Sequence, residues 1–160
     1  MRSAGLLLYR VTGGVLWVLV AHMGGPFWAR KDDRAWSIPK GEYADGDDPE
    51  AAAAREFCEE MGSPPPPGQL VSLGTIRQSS GKWITAYAVE ADFDAANIRS
   101  NEFEMEWPRG SGVVRSFPEV DRAEWVDCAT ARVKLVAGQV AFLDRLLEHL
   151  HQHDPTAREA

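Results

Sequence analysis

The sequence predicts an α+β fold, and three observations lead there. Six short segments carry strand patterning between turn residues. Two longer stretches, Glu50 to Met61 and Val136 to His151, carry helical spacing. The chain has 160 residues, 44% of them hydrophobic, which is enough for one substantial core and too little for two. A domain over residues 1–152 is therefore expected, with a flexible tail over 153–160.

In chain order, Ala4 to Arg10 and Val15 to Ala21 read as strands joined by a Gly-Gly turn. In the second strand Val15, Trp17 and Leu19 alternate with Leu16, Val18 and Val20, so both faces are apolar and a strand buried on both sides follows. His22 is expected to be a structural hydrogen-bonder. Residues 24–35 form a loop with two aromatics and the cations Arg30, Lys31 and Arg34. Phe27 or Trp28 could stack on a base there while the cations meet phosphates, and a plain solvated loop is the equal alternative. Trp36 to Gly41 is a short extended segment, because Pro39 biases Ile38 away from helix. Lys40, directly before the acidic cluster, could be a solvated surface lysine or a contact for a substrate phosphate, and its position favours the second.

The helix that follows has an abrupt start and stop. Asp48 suits the N-cap and Pro49 the first helical position, although Asp47 and Glu50 also have capping-box spacing. The prolines at 64–67 forbid continuation. At 100° per residue Ala53, Ala54, Phe57, Cys58 and Met61 share an arc that should face the core, and Cys58 is expected to be packed there. Farther on, Leu70 to Gln78 and Trp83 to Phe93 read as strands around a Ser79-Ser80-Gly81 turn. Asn101 to Trp107 alternates Glu102, Glu104 and Glu106 with Phe103, Met105 and Trp107. Such a carboxylate face is ordinarily wet, but Glu106 could add a ligand or a general base. Pro108 to Gly112 is a loop, and a short strand ends at Glu124–Val126. The closing helix is amphipathic, with Val140, Leu143, Leu146, Leu147 and Leu150 at helical spacing. Its polar end carries His149, His151 and His153, whose spacing of two does not bring imidazoles together.

The chemistry concentrates on the first helix. Glu56, Glu59 and Glu60 stand at i, i+3 and i+4, so three like charges share one side at a cost of roughly 0.2–0.5 kcal/mol per pair even in water. They also sit near the C-terminal end, where the helix dipole disfavours anions. Rules broken together in this way concentrate at functional sites. A divalent cation would remove the repulsion, and clustered carboxylates suit Mg²⁺ or Mn²⁺. Arg55 is four residues from Glu59 and could hold that carboxylate.

Gly41, Arg55, Glu56, Glu59, Glu60 and Gly62 match a longer pattern: Gly, five residues, Glu, seven residues, Arg-Glu, apolar, any, Glu-Glu, any, Gly, apolar. Chance agreement is on the order of 10⁻⁵. The stretch from Gly41 to Ser63 resembles the Nudix box, and the order of elements around it resembles that family's α/β/α sandwich, a mixed sheet flanked by helices. Two positions depart: Asp47 replaces a glutamate, and Ser63 replaces an apolar residue. The resemblance implies Mg²⁺- or Mn²⁺-dependent hydrolysis of a nucleoside diphosphate linked to another group. It implies Glu56, Glu59 and Glu60 as metal ligands, the Gly41 carbonyl as a fourth, and Arg55 as their organiser. The general base is not fixed by the motif; Glu59 and Glu106 are the candidates. The SIPKGEY segment resembles the lead-in of relatives acting on dinucleoside polyphosphates or diphosphoinositol phosphates, which favours a (di)nucleoside polyphosphate or nucleoside triphosphate over a nucleotide sugar.

Charge and cysteine usage narrow the alternatives. The net charge is -7 with no basic cluster, so a nucleic-acid polymer is not the expected partner, whereas a phosphorylated small molecule is. Cys58 and Cys128 form no CxxC pair, so neither a zinc site nor a disulfide framework is expected, and reduced thiols suit a cytoplasmic protein. The N-terminal apolar runs are too short and interrupted to span a membrane. Two other readings compete: a nucleotide-sensing module of the same fold that does not cleave, and a domain whose acidic helix is only a solvated face.

Overall fold

Strand β1 (Arg2–Thr12) organises the sheet. The computed structural model describes residues 1–153, and β1 pairs with three other strands. It runs antiparallel to β2 (Val15–Met23) through the register Thr12↔Val15. Gly13 and Gly14 close this hairpin with φ of 59° and 79°, the two positive values that a type I′ turn needs. On its other side β1 is parallel to β6 (Trp83–Glu90), which pairs antiparallel with β5 (Val71–Arg77).

The sheet has seven strands. β1 and β2 splay apart, and the short strands β3 (Trp36–Ser37) and β4 (Lys40–Tyr43) occupy the fork, β3 on β2 and β4 on β1. Gly5 permits the close approach: a Cβ there would lie 2.7 Å from the Pro39 oxygen. β9 (Val120–Asp127) covers the far edge of β2. Together with helices on both faces, this is the mixed-sheet α+β sandwich that the sequence predicts.

Alternation on the strands separates two cores. On one face Leu6, Leu8, Leu19, Ala21, Tyr87 and Val89 pack against α1 (Pro49–Met61) through Ala52, Ala53, Phe57 and Met61. On the other, Leu7, Leu16, Val18, Val20, Ile84 and Ala86 meet α3 (Val140–His153) through Phe142, Leu143, Leu146, Leu147 and Leu150. Each large aliphatic or phenylalanine side chain among these contributes roughly 1.5–3 kcal/mol on burial. β2 is apolar on both faces because both faces are covered.

Several expectations are corrected. A helix α2 (Cys128–Lys134), capped by Asp127 onto the Thr130 amide at 2.8 Å, stands where no element was expected. Seven residues containing Thr130 and Val133 carry too little helical signal to stand out. The segment read from Asn101 to Trp107 is β7 (Glu102–Glu106), but it joins β8 (Val114–Pro118) in a separate two-stranded sheet. A short 3-10 turn, Ala137–Gln139, precedes α3, and α3 includes His153. His153, placed in the tail by the sequence reading, is therefore helical, and the rest of that expected tail, Asp154–Ala160, lies outside the described residues. His22 is buried, bonding Asp121 through Nδ1 (2.8 Å) and the Lys31 carbonyl through Nε2 (2.6 Å), which is a structural role. Cys58 is exposed. The arc that α1 buries runs from Ala52 through Met61 and takes in the Glu56–Glu60 side, so the helix is turned relative to the expected arc and Cys58 lies outside it.

Candidate functional site

The start of α1 is fixed by its cap. The Asp48 side chain accepts from the amides of Glu50 and Ala51, and Pro49 fills the first turn. Asp47 does not share this work. Its carboxylate accepts from the Ala44 amide (3.3 Å) and its own amide donates to the Ala44 oxygen (3.1 Å), closing a loop turn. At the other end Gly62 takes φ 83° and donates to the Cys58 oxygen at 2.8 Å. The last carbonyls of α1 are satisfied by the next segment: the Arg99 amide donates to Met61 (3.0 Å) and the Asn101 amide to Glu59 (2.8 Å).

That segment carries a further acid to the helix. The Glu119 amide donates to the Asn101 oxygen at 2.9 Å, and the Val120 amide donates to Ser100 Oγ at 3.0 Å. The Glu119 oxygen in turn accepts from the Gly24 amide at 2.9 Å. Glu119 is thereby anchored on both sides of its own peptide unit. Asn101 alone links its backbone to that of Glu59.

The opposite wall is β4. The Lys40 amide donates to Glu60 Oε1 at 3.2 Å. Gly41 passes so close to Glu56 that a Cβ at Gly41 would fall 2.0 Å from Oε2, so any side chain there would displace the Glu56 carboxylate. Arg55 donates to the Glu42 carbonyl and to Glu56 Oε1, each at 3.3 Å. This corrects the expected Arg55–Glu59 pairing: Arg55 reaches sideways to β4, and Glu56 is the carboxylate on that path.

Electrostatics mark the same group of acids. Burial pushes the Glu60 carboxyl up to about 8, with the charges of Glu119 and Glu56 adding and the Lys40 amide and ammonium opposing. Glu56 is raised by burial and then by the charge of Glu59. Glu119 is raised by burial and then by Glu59, against the pull of Lys40. Four carboxylates therefore share one field, with Lys40 and Arg55 the cations that act within it.

The other sequence candidates lie elsewhere. Glu106 sits on the outer, exposed face of β7, where its carboxylate accepts from the Gly110 amide at the hairpin tip. The acid outside the motif whose charge acts on Glu56 and Glu60 is Glu119, not Glu106. Arg30 is exposed on the 24–34 loop. Trp28 is partly buried against the core on the sheet face opposite α1, with its edge to Phe27 at 4.9 Å. Lys31 lies 3.4 Å over the Phe27 ring, so an internal cation already engages that aromatic pair. Glu119 carried no motif signal, because it reaches the cluster only through pairing of distant backbone.

The donor set suits a hard divalent cation. It consists of the carboxylate oxygens of Glu56, Glu59 and Glu60 with the main-chain carbonyl of Gly41, and burial makes Glu56 and Glu60 resist ionisation. Among the described residues no three acidic, histidine or cysteine side chains converge on one point. Glu60 is instead turned to the Lys40 amide and Glu56 to Arg55. The fit is thus one of chemistry and position, with the side chains held by protein partners.

With fold and site described, comparison with known proteins is informative. The family profile for the NUDIX domain matches residues 1–149. The chain belongs to the Nudix family. Its fold is similar to the Nudix domain of NrtR from Shewanella oneidensis, solved with ADP ribose, at TM-score 0.64 and 16% identity, covering 94% of this chain and 88% of that one. It is also similar to an Ap4A hydrolase from C. elegans in a binary complex, at TM-score 0.63 and 20% identity, covering 94% and 98%. A third similar structure is NrtR with a 27mer DNA, at TM-score 0.55 and 17% identity, covering 94% of this chain and 62% of that one. No helix here is long and apolar enough to cross a membrane among the described residues.

Proposed function

We propose that this chain hydrolyses a phosphoanhydride in a nucleoside diphosphate linked to another group, with Mg²⁺ or Mn²⁺, and that (di)nucleoside polyphosphates and nucleoside triphosphates are the leading substrates. One observation carries the reading. Glu56, Glu59 and Glu60 on α1 meet Glu119 and the Lys40–Gly41 backbone in a partly buried cluster where four acids face two cations, Lys40 and Arg55. An ordinary acidic helix face would have stayed in water.

In this reading Glu56, Glu59, Glu60 and the Gly41 carbonyl hold the cation, with Glu119 as an additional donor or base. The cation supplies charge neutralisation at the diphosphate and a lowered pKa for a bound water. The protein's part is positional. Arg55 steadies Glu56 against β4. Lys40 presents its ammonium beside the acids, where a substrate phosphate would also be attracted. Glu59 or Glu119 takes the proton of the attacking water, a choice supported by their mutual charge interaction and by the exposure of Glu106 on β7. Arg30 and Trp28 are candidates for outer substrate contacts only.

Similarity to an Ap4A hydrolase supports a dinucleotide ligand, and similarity to a Nudix domain solved with ADP ribose supports nucleotide binding in general. The second similarity also keeps a non-cleaving sensor as the alternative. A phosphate-release screen with Mg²⁺ over nucleoside triphosphates, dinucleoside polyphosphates, nucleotide sugars and inositol pyrophosphates separates the two. Turnover of any class supports hydrolysis. Tight nucleotide binding without turnover establishes the sensor.

A further inference from the structure

Gln139 is the only buried side-chain amide in the described core, fully excluded from solvent, and the chemistry above gives it no part. It lies at the end of the 3-10 turn, Ala137–Gln139, on the sheet face opposite α1. Its side chain is spent on one short segment. The Ile38 amide donates to Gln139 Oε1 at 2.9 Å. Gln139 Nε2 donates to Ser37 Oγ at 2.9 Å, and Ser37 Oγ donates to the Ile38 oxygen at 2.7 Å. The carboxamide and the hydroxyl thus close a ring of bonds around the Ser37–Ile38 peptide.

The position of that peptide matters because it lies in a gap. β3 ends at Ser37 and β4 begins at Lys40, so the Ile38 amide takes its bond from Gln139 and not from a strand. The next residue is Pro39, whose ring fixes its own φ and restricts Ile38. Two residues beyond Ile38, the Lys40 amide meets Glu60 at 3.2 Å. One residue later Gly41 lies against Glu56 with no space to spare. The connection between Gln139 and the acids is therefore short and stiff. Two backbone bonds steady its flanks, from the Val136 amide to the Trp36 oxygen (2.9 Å) and from the Leu6 amide to the Pro39 oxygen (3.1 Å).

We infer that Gln139 is a positioning residue for the carboxylate site, holding the Ser37–Ile38 peptide so that Lys40 and Gly41 present their backbone to Glu60 and Glu56. The inference rests on the proposed metal-dependent reading for its effect on cation binding, but its effect on the backbone stands apart from that reading. Loss of a group bonded directly to a metal ligand typically changes affinity or activity 10–100-fold, and Gln139, which acts through the Ser37–Ile38 peptide three residues before Gly41, is expected at the low end of that range.

Gln139→Met tests this, since it keeps the volume and removes both hydrogen bonds. Two measurements are made on the full chain: Mn²⁺ binding followed by electron paramagnetic resonance, and exchange of the Lys40 amide by NMR. The expected result is about a tenfold weaker Mn²⁺ affinity and at least tenfold faster Lys40 exchange, with the variant still folded. Gln139→Glu keeps an acceptor for Ile38 and should recover part of both. A lowered melting temperature with Mn²⁺ affinity and Lys40 exchange unchanged overturns the inference, because that is what a packing role predicts. Should Gln139→Met fail to fold, Ser37→Ala removes two of the three bonds of the ring, leaves the Ile38 amide on Gln139, and is read by the same two measurements. Should the unaltered chain bind no Mn²⁺, the metal-dependent reading fails, and the Lys40 exchange rate alone decides whether Gln139 positions the segment.

Discussion

Glu56, Glu59 and Glu60 on α1 and Glu102, Glu104 and Glu106 on β7 are both triplets of glutamate brought to one side of an element by its periodicity. Their surroundings differ. The β7 triplet lies on the exposed face of a two-stranded hairpin, and water can reach every carboxylate. The α1 triplet is pressed between β4 and the Arg99–Asn101 segment, partly buried, and faces Glu119. Sequence spacing alone makes the two sets look alike. What separates them is third-party backbone, which removes water from one set and leaves it with the other. Repulsion that costs little in water becomes expensive when solvent is displaced, and only then does a bound cation gain much.

The largest test of this contrast is catalytic. Glu60→Gln or Glu59→Gln is expected to lower kcat at least 10²-fold with the fold intact, whereas Glu104→Gln should leave it within about twofold. Adding Glu106→Gln and Glu119→Gln to the same phosphate-release assay ranks the two candidate bases, with the larger loss expected at Glu119. Full activity in both Glu59→Gln and Glu60→Gln would end the metal-site assignment.

Stability gives the next contrast. Phe57 is fully buried under α1 and meets Phe93 edge-on at 5.3 Å. Phe57→Ala should cost about 3–5 kcal/mol. Thermal melts read this directly, and an unchanged melting temperature would mean that the α1 face is not a core face.

The sign of a pH effect sharpens the comparison further. Glu60 has a folded-state pKa of about 8, above its unfolded value, so the fold holds a proton that the unfolded chain has released. Without divalent cation, stability should therefore fall as pH rises from about 4.5 to about 8 and then level off. Glu56 and Glu119 are raised by the same cause and contribute in the same direction. Glu60→Gln should flatten most of the slope, and Glu104→Gln should leave it unchanged. A slope of opposite sign in chelator-treated protein would contradict the burial of this acid.

These residues also show how far the sequence could be read. The ends of α1 were legible because Asp48, Pro49, Gly62 and the proline run act locally. The three glutamates were legible because a helix brings spacings of three and four together. Glu119 was not, since it reaches Glu59 through Asn101, and that pairing depends on where two distant segments meet. Arg55 was assigned to Glu59 by helical spacing, but β4 offered the Glu42 carbonyl and drew it toward Glu56. Cys58 was placed inside by an apolar arc. The helix instead turns its glutamate side toward β4, whose first residue, Lys40, offers its amide to Glu60, and Cys58 is left exposed. Local rules carried the element, and the neighbouring chain decided its orientation.

The smallest expected effect tests that division between local and tertiary cause. Asp48 is exposed, and its carboxylate accepts from the amides of Glu50 and Ala51, at 3.4 Å each. Asp48→Ala should cost about 1 kcal/mol by leaving those donors to water. It should not move the glutamates, because their end of α1 is held separately by Gly62, Arg99 and Asn101. A small loss of melting temperature with kcat unchanged is the expected result. A large loss of activity would show that the helix start and the carboxylate cluster are mechanically joined, and the site would then depend on its local cap as much as on the segments packed around it.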